Sequence, residues 1–474
     1  MEEIIVVDAR MGRGKSTAAI RYMNQHKWTK RFLYITPYLD EVGRVCTSCE
    51  FDQAIDSDYK SKSTELKKML HKGISIAATH ALFMLMDEEA LTLVRQQQYC
   101  LIVDESLNLI SREYASKKDL DMILNVLTEE AEDGQLRWRD VQYEGRFSDY
   151  KQLADLGCLY HLDTALFRVL SPAMLEAFSE VHMLTYLFEG QYQKAYLDYH
   201  GLPYRVVGIG KDADGYYFSD APDDPPPTDY GKLINLVEDS SKLNRIGDGQ
   251  FSLAKNWYTR RGYKHPEMQE LRKDLRRFFR QCDNDAANTR LWTCFLEHRA
   301  KLLAKDGRYN TSFLQLSCRA TNEYRNKTQV AYLVNRYLDP NLVKFFAQRG
   351  ITIDGDAFAL AEMLQWIWRS AIRDGLPIDL YVPSRRMREL LLGWIDDVRQ
   401  GRLPSAQRKA EASSEKPSRT RVGAVEGRRT CEAVSTTTYT TVTTLFQQNG
   451  SHGLTKASRG QQREVAEFGK REQQ

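Results

Sequence analysis

The sequence has almost no excess charge of either sign: 67 lysines and arginines face 64 acids, a formal net charge of +3. A protein that coats nucleic acid by bulk charge is therefore excluded, and any such contact must come from local patches. Long hydrophobic runs are missing too. No stretch approaches the ~18 apolar residues of a membrane span, and Ile4–Val7 is too short, and too poorly flanked by basic residues, for a secretory signal. No membrane partner is expected. Cysteine is sparse, with eight residues scattered through 474. In an intracellular chain they stay reduced, so a disulfide-built scaffold is not expected. Cys46 and Cys49 make the one CxxC, and without a second pair they read as ordinary thiols and not as a zinc site.

What is present is alternation. Short apolar runs at Ile4–Val7, Phe32–Thr36, Ser75–Ala78, Cys100–Val103 and His182–Tyr186 alternate with helical stretches, the pattern of a parallel sheet with crossover helices. A helical, acidic stretch around 120–157 reads as an insertion. The segment "DADGYYFSDAPDDPPPTDY" breaks both periodicities and reads as a linker over 211–230, which closes a first domain of 1–210. A second α/β domain is expected over 231–400, with strands at Leu233–Val237, Thr289–Phe295, Ser312–Leu316, Val330–Leu333 and Asp379–Val382. Beyond residue 401 large apolar residues nearly vanish and basic residues outnumber acids, so a polar, basic, disordered tail is expected over 401–474.

The chemistry starts in the first strand. Ile4–Val7 runs into Ala9-Arg10-Met11-Gly12-Arg13-Gly14-Lys15-Ser16-Thr17, a phosphate-loop pattern with Ala where the first Gly is usual, and a helix-forming stretch follows. A polyphosphate needs several backbone N–H groups converging at a positive helix end. Gly12 and Gly14 permit that close approach. Lys15 supplies a point charge to the β- and γ-phosphates, and Ser16 a hydroxyl to Mg²⁺. ATP and Mg²⁺ are the expected ligands.

"CLIVDES" then places Asp104 and Glu105 at the end of another apolar strand. One carboxylate is needed at the metal and a second to orient or deprotonate water, so Asp104 is assigned to Mg²⁺ and Glu105 to the attacking water. Adjacent acids of this kind favour hydrolysis over transfer to a bound hydroxyl.

With these two elements in place the chain resembles the superfamily 2 helicases of DEAD/DEAH-like type, in a divergent form suggestive of a phage or mobile element. The resemblance runs in order through "YITPYLDEV" with Thr36, "IAATHALF" with Thr79 and His80, "VDES", and "HMLTYLFEG" with Thr185 as the coupling motif. The second half continues with "RLWTCF" (Thr293), "CRATNEYRN" (Thr321, Asn322, Arg325) and "QWIWRSAIRDG". In the last, Gln365, Arg369 and Arg373 fall at four-residue spacing, one face of a helix. An arginine reaching across a cleft stabilises the charge that develops on a γ-phosphate, and Arg369 and Arg373 are the candidates.

The resemblance implies two RecA-like domains with parallel sheets and an ATP-dependent helicase or translocase. It also implies nucleic acid as partner, DNA in preference to RNA, along with replication or recombination proteins, and a cytoplasmic site, that of the host if phage-encoded. Thr36, Thr79, His80 and Thr293 would touch the track; Thr185, Thr321, Asn322 and Arg325 would contact or couple. Because the loop begins at Ala9, the adenine-reading glutamine upstream of DEAD-box loops is expected to be missing. Two rival classes are a viral DNA-packaging ATPase, which would need clustered acids such as Asp354 and Asp356 in a nuclease domain, and a nucleotide-switched binding protein.

Overall fold

Eight strands make the first sheet, in the order Gly215–Ser219, Tyr204–Asp212, Ile4–Asp8, Glu180–Thr185, Tyr99–Asp104, Arg31–Thr36, Ile76–Thr79 and Asp52–Gln53. All neighbours run parallel except the edge pair Tyr204–Asp212 with Gly215–Ser219. This computed structural model describes residues 3–53, 59–223, 227–281, 287–304, 307–316 and 322–402. Side chains at 52–53, 59–62, 287 and 322 are not part of that description, and Thr321 and the tail from residue 403 lie outside it.

The central strands are apolar on both faces because helices cover both: every residue of Tyr99–Asp104 is buried. The strand carrying the phosphate loop and the strand carrying the acids are not neighbours. Glu180–Thr185 lies between them, pairing Asp8 with Thr185 on one side and Leu184 with Asp104 on the other. Asp8, Thr185 and Asp104 thus stand in a row at the carboxyl edge of the sheet, where ligand crevices of parallel sheets open.

Two sequence expectations change here. The segment 211–230 is not simply a linker: Gly215, at φ +116°, closes a hairpin, and Gly215–Ser219 becomes an edge strand of the first sheet. Its Asp-Ala-Asp-Gly run is a tight turn, and the Tyr-Tyr-Phe that follows is β-forming. The insertion is also wider and less helical than expected. Ile110–Glu113, Ala165–Val169 and Leu159–Leu162 form a three-stranded antiparallel sheet around it, and Thr128–Glu130 pairs with Leu136–Trp138 as a further hairpin.

The second sheet is parallel throughout, in the order Ile234–Leu236, Ile378–Tyr381, Gln329–Tyr332 and Arg290–Thr293. Ser312–Leu316, expected as a strand, makes only a single bridge from Phe313 to Trp292. The Leu314 N–H does reach the Trp292 carbonyl, but its own carbonyl is taken by the indole N–H of Trp366 at 3.3 Å, so no ladder extends. The molecule is therefore α/β with two parallel sheets, as the alternation predicts.

The two lobes share packing. Leu342, Phe345 and Phe346 of the helix Pro340–Ala347 are buried in the first lobe's core, with Phe167 and Tyr160. Tyr186 and Leu187, just past the strand Glu180–Thr185, are buried in the second lobe's core. Gly190 sits so close to the helix Gly355–Ile367 that a Cβ there would lie 2.3 Å from the Phe358 backbone nitrogen, so only glycine allows this approach.

Candidate nucleotide site at the lobe seam

The phosphate loop is shaped by its glycines. Gly12 and Gly14 hold φ of 77° and 79°, left-handed values that other residues rarely adopt, and Gly14 caps the helix Lys15–His26. A Cβ on Gly14 would come within 2.4 Å of the Tyr216 ring, so the edge hairpin lies directly against the loop. Arg13 fastens the loop to that hairpin, donating to the Ile209 carbonyl at 3.2 Å and to Asp223 at 3.3 Å. Thr17 is exposed at the first helical turn, and Ala9 is buried beneath the loop.

Lys15 folds back over the loop, its Nζ donating to the carbonyls of Ala9 at 2.5 Å and Arg10 at 3.2 Å. Burial pushes its pKa down, and the charges of Asp104, Asp8, Asp223 and Glu105 oppose that. Ser16 Oγ donates to Asp104 Oδ2 at 3.0 Å, and the Tyr34 hydroxyl donates to the same oxygen at 2.5 Å. Asp104 is buried, and burial pushes its pKa up to about 6, with Glu105 adding to the rise and the two hydroxyls opposing it. A buried carboxylate beside a serine hydroxyl, disfavoured as an anion until a cation joins it, is a donor set that fits Mg²⁺.

The row of strand ends supplies a second fit. Thr36 and Thr185 are buried, and neither hydroxyl has a hydrogen-bond partner among the described residues. Buried polar atoms are rarely left so, and two of them flanking Asp104 suit a polar ligand. Asp8 is also buried there and accepts the Phe188 N–H at 3.1 Å.

Glu105 has φ 62°, left-handed and costly for a residue with a side chain. The Tyr38 hydroxyl donates to its Oε2 at 2.7 Å. That same hydroxyl accepts a hydrogen bond from Arg369 Nη2 at 3.0 Å. The chain thus joins the acid of the first lobe to an arginine of the second through one tyrosine. Other parts of the loop also meet the second lobe: Met11 packs against its core, and the Arg10 guanidinium lies 5.8 Å from the Tyr230 ring centre. Tyr230 stacks on Trp394, whose indole N–H donates to the Tyr186 hydroxyl at 2.7 Å.

The remaining expected residues scatter more widely. Gln365 is half-buried within the helix Gly355–Ile367, but the helix ends there, so Gln365, Arg369 and Arg373 do not share one helical face as the spacing implied. Ser370 adopts an extended backbone and returns its hydroxyl to the Ile367 carbonyl at 2.7 Å, while the Ala371 N–H is taken by the Lys327 carbonyl. Arg373 falls in the separate turn Ala371–Asp374 and is exposed. Arg325 pairs with Asp374 at 3.5 Å in the same neighbourhood.

Thr79 caps the short helix His80–Phe83 by accepting the Leu82 N–H, and Thr293 is fully buried, its hydroxyl 3.5 Å from the Cys294 carbonyl. The His80 ring lies against the backbone of Asp104 and Ile35, and burial pushes its pKa down to about 4. Asn322 is placed in the turn Asn322–Tyr324, outside either sheet. Asp354 and Asp356 do not cluster as a nuclease would need: Asp354 caps the helix Gly355–Ile367, and Asp356 pairs with Arg386 at 2.7 Å. Cys46 and Cys49 lie on the helix Leu39–Cys49, and burial pushes the Cys49 thiol up to about 11.

Tyr34, Tyr38, Asp8 and Tyr216 were missed by sequence reasoning. Tyr34 and Tyr38 both carried a signal, lying two residues either side of Thr36 in a motif already singled out.

A family model described as the YonV C-terminal Rossmann-like domain matches residues 228–395. An apo XPD structure aligns at 12% identity over 82% of this chain and 96% of that one, with a TM-score of 0.46, and the S. tokodaii Xpd4 structure at 11% identity over 82% and 93%, with a TM-score of 0.43. The SPbeta prophage-derived uncharacterized protein YonV of Bacillus subtilis (strain 168) is 36% identical over an alignment of 417 residues that covers 84% of this chain and all of that one. The chain belongs to the YonV family.

Proposed function

We propose that the protein is an ATP-dependent nucleic-acid motor, a helicase or translocase, in which ATP is cleaved at the seam between the two lobes. The observation that carries this reading is the hydrogen-bonded path from Glu105 through Tyr38 to Arg369, beside the phosphate loop. A site assembled from both lobes responds to how closely they approach, and that is what a motor needs.

In this reading the loop amides of 9–17 and Lys15 hold the phosphates, and Glu105 orients the attacking water and takes its proton. Ser16 and Asp104 would hold Mg²⁺, which when bound would supply positive charge beside the phosphates. Arg369 stabilises the charge that develops on the γ-phosphate, and because it belongs to the second lobe it does so only when the seam is closed. Thr185, at the end of the intervening strand, is followed by Tyr186 and Leu187 in the second lobe's core, a short route from the phosphates to lobe movement. Thr36, Thr79 and His80 of the first lobe would touch the track and Asn322 and Arg325 of the second would contact or couple, with DNA favoured over RNA, whereas Thr293 is fully buried and falls out of the track. Phosphate contacts of this kind are independent of sequence and weaken with salt.

Steady-state ATP hydrolysis with and without single-stranded DNA or RNA tests the reading. Stimulation of about tenfold or more by one of them, lost progressively as salt rises, is expected. A folded protein that hydrolyses ATP at one rate whatever nucleic acid is added would overturn the motor claim.

A further inference from the structure

We propose that Tyr38 is a positioning residue that restrains hydrolysis until nucleic acid engages the loop on which it sits. The inference rests on the motor reading above, and adds how that site is regulated.

The Tyr38 hydroxyl is committed twice. It donates to Glu105 Oε2 at 2.7 Å and accepts from Arg369 Nη2 at 3.0 Å. Glu105 must turn toward water and Arg369 toward phosphate for cleavage, so both groups must first give up this shared partner. Hydrogen bonds to charged groups are among the stronger ones in proteins, and here two are released together. The ring is fixed as well: Tyr38 is 8% exposed and its carbonyl accepts the Val42 N–H in the first turn of the helix Leu39–Cys49. The Arg369 guanidinium lies 5.7 Å from the ring centre, which adds a cation–π contact to the same restraint.

The position of Tyr38 supplies the release. It follows Thr36, the last residue of the strand Arg31–Thr36, by two positions and precedes Leu39, which is 54% exposed. A strand drawn across the carboxyl edge of the sheet would press on this turn and shift the tyrosine it carries. One small movement would then free the base of one lobe and the arginine of the other at the same moment. No bond is made or broken in this step beyond hydrogen bonds.

Tyr38→Phe tests it, because the ring and its packing stay and only the hydroxyl is lost. Basal ATP hydrolysis is expected to rise about tenfold while the rate at saturating single-stranded DNA stays near that of the parent, so the stimulation ratio falls toward one. Affinity for a fluorescent ATP analogue and for labelled single-stranded DNA, both read by fluorescence, should stay within about threefold. A merely structural residue would move those affinities or the unfolding midpoint. Where nucleic acid stimulates the parent, the same stimulation ratio in the variant would overturn the proposal, and so would an unchanged or lower basal rate. If the parent ignores all nucleic acids but Tyr38→Phe still raises its basal rate, the restraint stands and the motor reading fails.

Discussion

A Glu105→Gln variant is expected to bind ATP as tightly as the parent and to hydrolyse it at least about a hundredfold more slowly. Glutamine has the same length and can still accept the Tyr38 hydroxyl, so the local hydrogen bonding that positions the side chain is kept. What disappears is the negative charge that, on the proposed reading, orients water and takes its proton. Exposed Glu50, Gln98 and Asp163 share this left-handed backbone, so the assignment to Glu105 rests on its place beside Asp104 and on the hydrogen bond it accepts from Tyr38. Binding of a fluorescent nucleotide beside phosphate release separates the two effects. Turnover within a few-fold of the parent would remove Glu105 from the chemistry.

Arg369→Ala is expected to slow hydrolysis by about a thousandfold or more while leaving nucleotide affinity within a few-fold. The guanidinium is needed where charge develops during cleavage, more than where ATP rests, so its loss should appear in kcat and not in KM. Arg369→Lys should restore little, because an ammonium cannot reproduce the planar fork that meets phosphate oxygens. Arg373→Ala should cost far less, since that side chain lies exposed in the turn Ala371–Asp374, whereas Arg369 is hydrogen-bonded to Tyr38 beside Glu105. Equal losses from both arginines would mean that the helix-end geometry does not decide which one acts.

The first lobe's sheet was legible because its strands are short apolar runs between helices, and the phosphate loop and acid pair sit at strand ends where local sequence alone dictates their conformation. The order of the strands was not legible. That Glu180–Thr185 separates the two motifs depends on contacts nearly two hundred residues apart. The hairpin at Gly215 was hidden because turn residues and linker residues are the same residues; what distinguishes them is whether a sheet edge is waiting to be paired. Arg369 was found through the order of motifs, yet its helix ends two residues earlier, at Ile367, because Ser370 bonds back to a helix carbonyl, a competition that spacing cannot reveal. Tyr34 and Tyr38 escaped because a tyrosine beside a buried strand looks like core, and only tertiary contact shows its hydroxyl meeting a carboxylate.

The most direct test is a structure of the Glu105→Gln variant with ATP and Mg²⁺, in which slow turnover preserves the bound state. The account predicts the γ-phosphate between Lys15 and Arg369, with Arg369 detached from Tyr38 and within hydrogen-bonding reach of a phosphate oxygen. A nucleotide bound in the loop while Arg369 stays on Tyr38 or turns to solvent, with the seam closed, would contradict it.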